Sequence, residues 1–221
     1  MSDSTMYYEK GSTVPDINIT LDWFSDTVWT KLSSYPTQGA QYVNDFLFVN
    51  DTLYGATGLK GLVSYSLTYG DNWTEMDTFP VSQSSVEALS VNMFDGILYA
   101  TGYYGGVNKG FVYRSFDRQT WDTTCVQPLG FADRVYDVVQ MKGDTFLATA
   151  GNPDVTYANM DGQVLMSIDA CSTWVKSDTL SFALATIIEK INDSTAIVSK
   201  DGFLGNGVLA ITYDFGETWT N

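Results

Sequence analysis

The side chains here that could do chemistry are carboxylates and tyrosines, because the chain has no histidine and only two cysteines. Without His, the commonest general base and the commonest transition-metal ligand are missing. Three aspartates, Asp117, Asp169 and Asp214, recur in one setting. Each lies two residues after a Ser or Thr and four or five before a Trp. Repeated carboxylates suggest either acid–base hydrolysis, which needs a pair across a cleft, or calcium, which needs about six to eight oxygens at one point. One carboxylate per repeat supplies neither. An Asp in a turn has a local use instead, accepting hydrogen bonds from backbone N–H groups. These aspartates therefore read as structural, and no catalytic residue, metal or cofactor is implied.

The tryptophans show what the aspartates belong to. Trp29, Trp73, Trp121, Trp174 and Trp219 are spaced by 44, 48, 53 and 45 residues. The cleanest preceding segment is Thr212-Tyr213-Asp214-Phe215-Gly216-Glu217-Thr218-Trp219. The copy from Ser167 through Asp169 to Trp174 has Cys171 at the Gly position. The copy from Ser66 through Gly70 to Trp73 has Thr68 at the Asp position, and that from Ser115 through Asp117 to Trp121 is one residue short. Around Asp22 and Trp29 the pattern is degenerate. Each Gly would supply a positive φ, and each Trp a large apolar face to bury against a neighbour.

Between these copies lie short apolar runs separated by hairpin signals such as Asn50-Asp51, Asp95-Gly96 and Asn192-Asp193. Tyr, Phe, Thr and Val dominate the runs, and none has sustained helical periodicity. The expectation is four short strands per repeat of about 45 residues, the composition of a propeller blade. The repeats fall at about 16–34, 35–78, 79–127, 128–178 and 179–221, after an N-terminal segment, 1–15. The first is half a blade, and Tyr7-Tyr8 is expected to add a short strand to it.

The pattern S/T-x-D-x-G-x-T-W resembles the Asp-box, or bacterial neuraminidase repeat, of sialidases, sortilin-type receptors, xyloglucan-cleaving hydrolases and photosystem assembly factors. The resemblance covers nearly the whole chain. It implies an all-β propeller of four-stranded antiparallel blades with five Asp-box repeats. Four blades are complete and one is a half, whether the propeller ends there or is a segment of a larger one. Sialidase chemistry would require an arginine triad, a Tyr nucleophile and an assisting Glu. With only Arg114, Arg118 and Arg134 present, and two of them flanking a box, the triad cannot be assembled. Hydrolysis of the xyloglucan type would need opposed acids, for which Asp133, Asp154 and Asp201 lie in suitable loops.

Ligands of propellers usually meet the loops opposite the boxes. There the sequence places Tyr103, Tyr104, Asn108 and Lys109 in the third repeat, Arg134, Asp154 and Tyr157 in the fourth, and Asp201, Phe203 and Asn206 in the fifth. Aromatics beside amides and carboxylates suit glycans or protein loops, and also ordinary loop packing. Cys125 and Cys171 either bridge adjacent blades or stand as separate thiols.

A net charge of −15 argues against nucleic acid and anionic membranes as partners, and no run is long and apolar enough to insert in a bilayer. Residues 1–16 do not read as a signal peptide. Sequons at Asn18, Asn50, Asn72 and Asn192 point outward. The expectation is a non-catalytic binding or assembly module, extracellular or at the cell surface, with a protein or glycan ligand. Self-assembly or further blades would meet its open edge. The alternatives are a fragment of an Asp-box glycoside hydrolase and an intracellular assembly factor.

Overall fold

Asn50 and Asp51 take φ of 49° and 57°, and Asp95 and Gly96 take 50° and 79°. Two successive positive φ values make the tight hairpin turn that suits the twist of its flanking strands. These turns close the hairpins of the second and third repeats, and the described residues form sixteen strands with no helix among them. The structure is a computed structural model, and it describes residues 4–8, 17–21, 42–58, 62–79, 86–105, 109–122, 134–152, 161–181, 183–202 and 207–220.

The chain divides into two units, residues 1–33 and 34–221. In the first, β1 (Ser4–Tyr8) pairs antiparallel with β2 (Ile17–Leu21). In the second, each repeat forms one antiparallel sheet with its strands in chain order. The second repeat holds β3 (Val43–Val49), β4 (Thr52–Thr57), β5 (Val63–Ser66) and β6 (Thr74–Glu75). The third holds β7 (Val86–Phe94), β8 (Ile97–Tyr104) and β9 (Lys109–Ser115). The fourth holds β10 (Arg134–Gln140), β11 (Phe146–Asn152), β12 (Asp161–Ser167) and β13 (Val175–Ser181). The fifth holds β14 (Ala183–Lys190), β15 (Ala196–Gly202) and β16 (Val208–Thr212). In the third and fifth, the described residues of the expected fourth strand make one bridge each, Arg114 to Asp122 and Ile211 to Thr220.

Alternation along each strand sends side chains to the two neighbouring sheets. One core cluster joins Tyr54 and Val63 of the second repeat to Val91, Leu98 and Phe111 of the third. The next joins Tyr99 and Val112 to Val138 and Phe146, and the last joins Leu147 and Val164 to Ile188 and Val198. Trp121 is buried, packs on Phe79 at 4.8 Å and donates from Nε1 to the Asp77 carbonyl of the preceding repeat at 2.9 Å. Trp219 likewise donates to Ser177 Oγ at 3.1 Å.

The box turns join third strands to fourth. Thr212 Oγ1 accepts the Gly216 N–H at 2.9 Å and donates to Asp214 Oδ1 at 2.8 Å. Asp214 then accepts the Thr218 N–H at 2.9 Å and its hydroxyl at 2.6 Å. Ser167, Asp169 and Thr173 repeat this set, and Asp117 makes the same contacts in the shortened copy. In the second repeat Thr68 Oγ1 takes the aspartate's place, accepting the Asn72 N–H at 2.9 Å. These contacts, led by the Thr hydroxyl, hold Asp117 and Asp169 below the usual carboxylate range and Asp214 at about 2.

Cys171 adopts a φ of 66° at the box glycine position. It is a free, buried thiol in the cluster between the third and fourth repeats. Of the two alternatives, Cys171 stands here as a separate thiol. Cys125, like Asp22 and Trp29, lies outside the described residues.

Candidate functional site

Four innermost strands, β3, β7, β10 and β14, carry a bulge at the same place, at Asn44, Leu89, Tyr136 and Thr186. A bulge inserts one residue and re-aims what precedes it. Just before the bulge, small apolar residues sit in register: Val43, Ala88, Val135 and Ala185. One residue earlier stand Tyr42, Glu87, Arg134 and Leu184, at the end of the sheets opposite the boxes. The fold does not dictate the residue type at this position, and three of the four repeats place a polar side chain there.

These side chains meet. Tyr42 Oη donates to Glu87 Oε1 at 3.0 Å, and Asn44 Nδ2 donates to the same oxygen at 3.3 Å and to the Ala88 carbonyl at 2.7 Å. Tyr103, the cross-strand partner of Glu87, donates to Glu87 Oε2 at 2.5 Å. The Arg134 guanidinium lies 4.1 Å from the centre of the Tyr103 ring. Two glycines permit the approach. A side chain on Gly58 would run into the Tyr42 ring, and one on Gly110 would meet the backbone of Arg134 and Val135 at 2.9 Å. The cluster thus draws on three successive repeats and is half-buried, with one negative and one positive charge.

Burial and then the hydrogen bond to Glu87 push Tyr103 up to about 12 and raise Tyr42 as well. Both phenols are therefore donors at neutral pH. Asn44 also lines a cleft of about 550 Å³ along the inner strands, with Asp45, Ser90, Asn92, Tyr136 and Asp137. The cleft aspartates are engaged by backbone. Asp45 accepts from Phe46 N and Val91 N at 2.8 and 3.0 Å, and Asp137 from Val138 N and Ile188 N at 2.8 and 3.1 Å. Asn92 adds a third donor to Asp137 at 2.8 Å. Burial outweighs these donors and raises Asp137 to about 6. No group of three or more metal-ligating side chains occurs among the described residues.

Of the residues expected at a ligand face, Tyr103 and Arg134 come together and Lys109 stands half-buried at the start of β9. Tyr104 is a correction. It is buried against Phe111 and hydrogen-bonded to Tyr113 Oη at 2.5 Å, so it is a core residue and not an anchor. Adjacent residues of one strand face opposite ways, and Tyr104 faces the second repeat. Asp201 lies in β15 opposite Leu184, the position that Tyr103 holds in its own repeat. Asn108, Asp154, Tyr157, Phe203 and Asn206 lie outside the described residues. The sequence reading missed Tyr42, Asn44 and Glu87 by looking in loops. Aligning the repeats on Val43, Ala88, Val135 and Ala185 would have exposed the variable position before them.

In sequence no family profile and no curated protein matches the chain. In structure it is similar to the GH74 xyloglucanase from Xanthomonas campestris, with a TM-score of 0.57 and 15% identity over 80% of this chain and 30% of that one. It is also similar to a Hadza microbial sialidase, with a TM-score of 0.56 and 16% identity over 80% and 45%. The nidogen/laminin complex gives a TM-score of 0.55 and 11% identity over 77% and 60%. The chain spans less than two thirds of each of these proteins. Together with the stacked antiparallel sheets, these likenesses show the fold: the chain is a β-propeller.

Proposed function

We propose that this propeller, built from Asp-box repeats, is a binding module. Its recognition site is the cluster of Tyr42, Asn44, Glu87, Tyr103 and Arg134, and its ligand is a glycan. The observation that carries this is the convergence of two phenols and an amide from two repeats on one carboxylate, beside an open cleft. Hydroxyl-rich ligands exchange readily into such a network, and half-exposed tyrosines offer faces for sugar rings. Several structural neighbours are named for carbohydrate substrates, which favours a glycan over a protein loop. The exposed sequon residues Asn50 and Asn72 fit an extracellular or cell-surface setting. The experiment is a glycan array run beside a panel of chromogenic glycosides. Binding without turnover, weakened by Tyr103→Ala and by Glu87→Gln, is the expected result.

One observation favours a second reading. A phenol 2.5 Å from a carboxylate is the arrangement of a nucleophile with its base. Retaining hydrolysis by a Tyr nucleophile would use it. Turnover of any glycoside that is abolished by Tyr103→Phe would replace the binding reading with this one. The upward shift of Tyr103 favours binding, since it keeps the phenol protonated.

A further inference from the structure

The residue after the Ser or Thr of each described box is a large apolar side chain: Leu67, Phe116, Ile168 or Tyr213. All four are exposed, between 58% and 72%. The turn makes no use of them, since its side-chain hydrogen bonds run between the residues on either side, Ser115 to Asp117, Ser167 to Asp169 and Thr212 to Asp214. Apolar side chains scattered singly on a surface need no explanation, but the same choice at one exposed place in four repeats does. Charge is the other half of the pattern. The box turns lie beside the first hairpins of their sheets, with the Ala170 N–H donating to the Asp144 carbonyl and the Phe215 N–H to the Ser194 carbonyl, both at 3.0 Å. Those hairpins expose Asp51, Asp95 and Asp144, and the box aspartates stand one residue beyond the apolar side chains. Arg118 and Lys142 are the cations of the same turns and hairpins. Arg114 links two of the boxes. Its guanidinium lies 4.9 Å from the centre of the Phe116 ring and donates to the Ala170 carbonyl of the next box at 3.0 Å.

From this we infer that the box end is a docking surface for a polypeptide partner, an extended basic segment that alternates cationic with apolar side chains and lies across the third and fourth boxes. Phe116 and Ile168 carry the contact, and both of their repeats have a described repeat on either side. Leu67 and Tyr213 hold the same position in the outer two. The apolar tips supply contact area, and the carboxylates between them attract and orient the Lys and Arg of the partner. The charge decides the class of partner. A second copy of this chain brings another −15 and is repelled, as is an anionic membrane. This surface is separate from the cluster around Glu87, which stands at the opposite end of the sheets.

The experiment uses two synthetic peptides of equal length and charge, one alternating Lys with Leu and the other Lys with Ser. Their binding to the full chain is followed by fluorescence anisotropy at about 0.15 M salt. The Lys–Leu peptide is expected to bind at least about tenfold more tightly than the Lys–Ser peptide. Phe116→Ser and Ile168→Ser should each weaken the Lys–Leu peptide at least about fivefold and leave the Lys–Ser peptide unchanged. Ile187→Ser, at an exposed apolar residue of β14 away from the boxes, is the control and should change neither. Hydroxyl-radical footprinting of the wild-type chain reads the same surface without a variant. Phe116 and Ile168 should be labelled in the free chain and protected once the Lys–Leu peptide is bound. Equal binding of the two peptides, indifference to both box variants, or protection of Phe116 and Ile168 before any peptide is added overturns the inference. So does binding to phosphatidylcholine vesicles that the same variants abolish, which would make the row a lipid contact instead.

Discussion

At the box end of the sheets four turns repeat one hydrogen-bond pattern, whereas at the opposite end the equivalent positions carry Tyr42, Glu87, Arg134 and Leu184. The box end must satisfy its own turn in every repeat. In three of the four described copies a hydroxyl caps the N–H at the Gly position, and in all four an acceptor takes the N–H of the residue before the Trp. Thr68 can stand in for Asp because it supplies that acceptor. The opposite end has no such local demand. Its side chains are held by neighbours from other repeats, so they can differ from blade to blade, and differences are what recognition needs. The comparison teaches that repetition marks the scaffold here and variation marks the polar cluster proposed as the site.

The largest expected effect breaks the scaffold side. Trp121→Ala removes a buried indole and its bond to the preceding repeat, and should cost about 3–5 kcal/mol in denaturant unfolding. Trp219→Ala, half-exposed, should cost distinctly less. Equal losses would mean that the box tryptophans do not act through the blade interface.

A smaller effect sharpens the contrast inside one strand. Tyr104→Phe leaves the Tyr113 hydroxyl without its buried partner and should destabilise by about 1 kcal/mol. Ligand binding should be unaffected. Tyr103→Phe should do the reverse, with little change in stability and weakened binding. The pair of variants, measured for melting and for binding, separates core from site.

The smallest effect appears as pH dependence. The box aspartates have folded values below their unfolded ones. Their contribution is present above the ordinary carboxylate range and is lost as pH falls through the folded values, about 2 for Asp214. Asp137 has the opposite sign. Raised to about 6, its contribution is present below the unfolded value and is lost as pH rises through about 6. Stability of the wild-type chain should therefore decline between about pH 4 and 6 relative to Asp137→Asn, and the acid limb should flatten when Asp117, Asp169 and Asp214 are all Asn.

Much of this was legible in the sequence, because it rests on contacts between near neighbours. Val43–Val49 and Val208–Thr212 are legible strands, since alternation and flanking turns are local signals. The glycine-bearing second strands run past Ala100 and Thr149 to Tyr104 and Asn152. Glycine is a weak strand former, yet here it lies inside ladders, with Gly102 opposite Phe111 and Gly151 opposite Gly162. The site was half legible, with Tyr103 and Arg134 singled out but Glu87, Tyr42 and Asn44 unseen.

What the sequence alone determined is the repeat: where the boxes stand, why Ser or Thr, Asp, Gly and Trp occupy them, and that the sheets alternate their side chains. Tertiary structure alone decided which tyrosine joins the polar cluster. Counted without interruption from the turn at Asp95-Gly96, Glu87 would stand opposite Tyr104. The bulge at Leu89 shifts the pairing by one residue and sets it opposite Tyr103. A single inserted residue leaves the hydrophobic pattern of the neighbouring strand unchanged, so no local pattern announces it. Yet it turns one tyrosine toward a carboxylate and an arginine and leaves the other in the core.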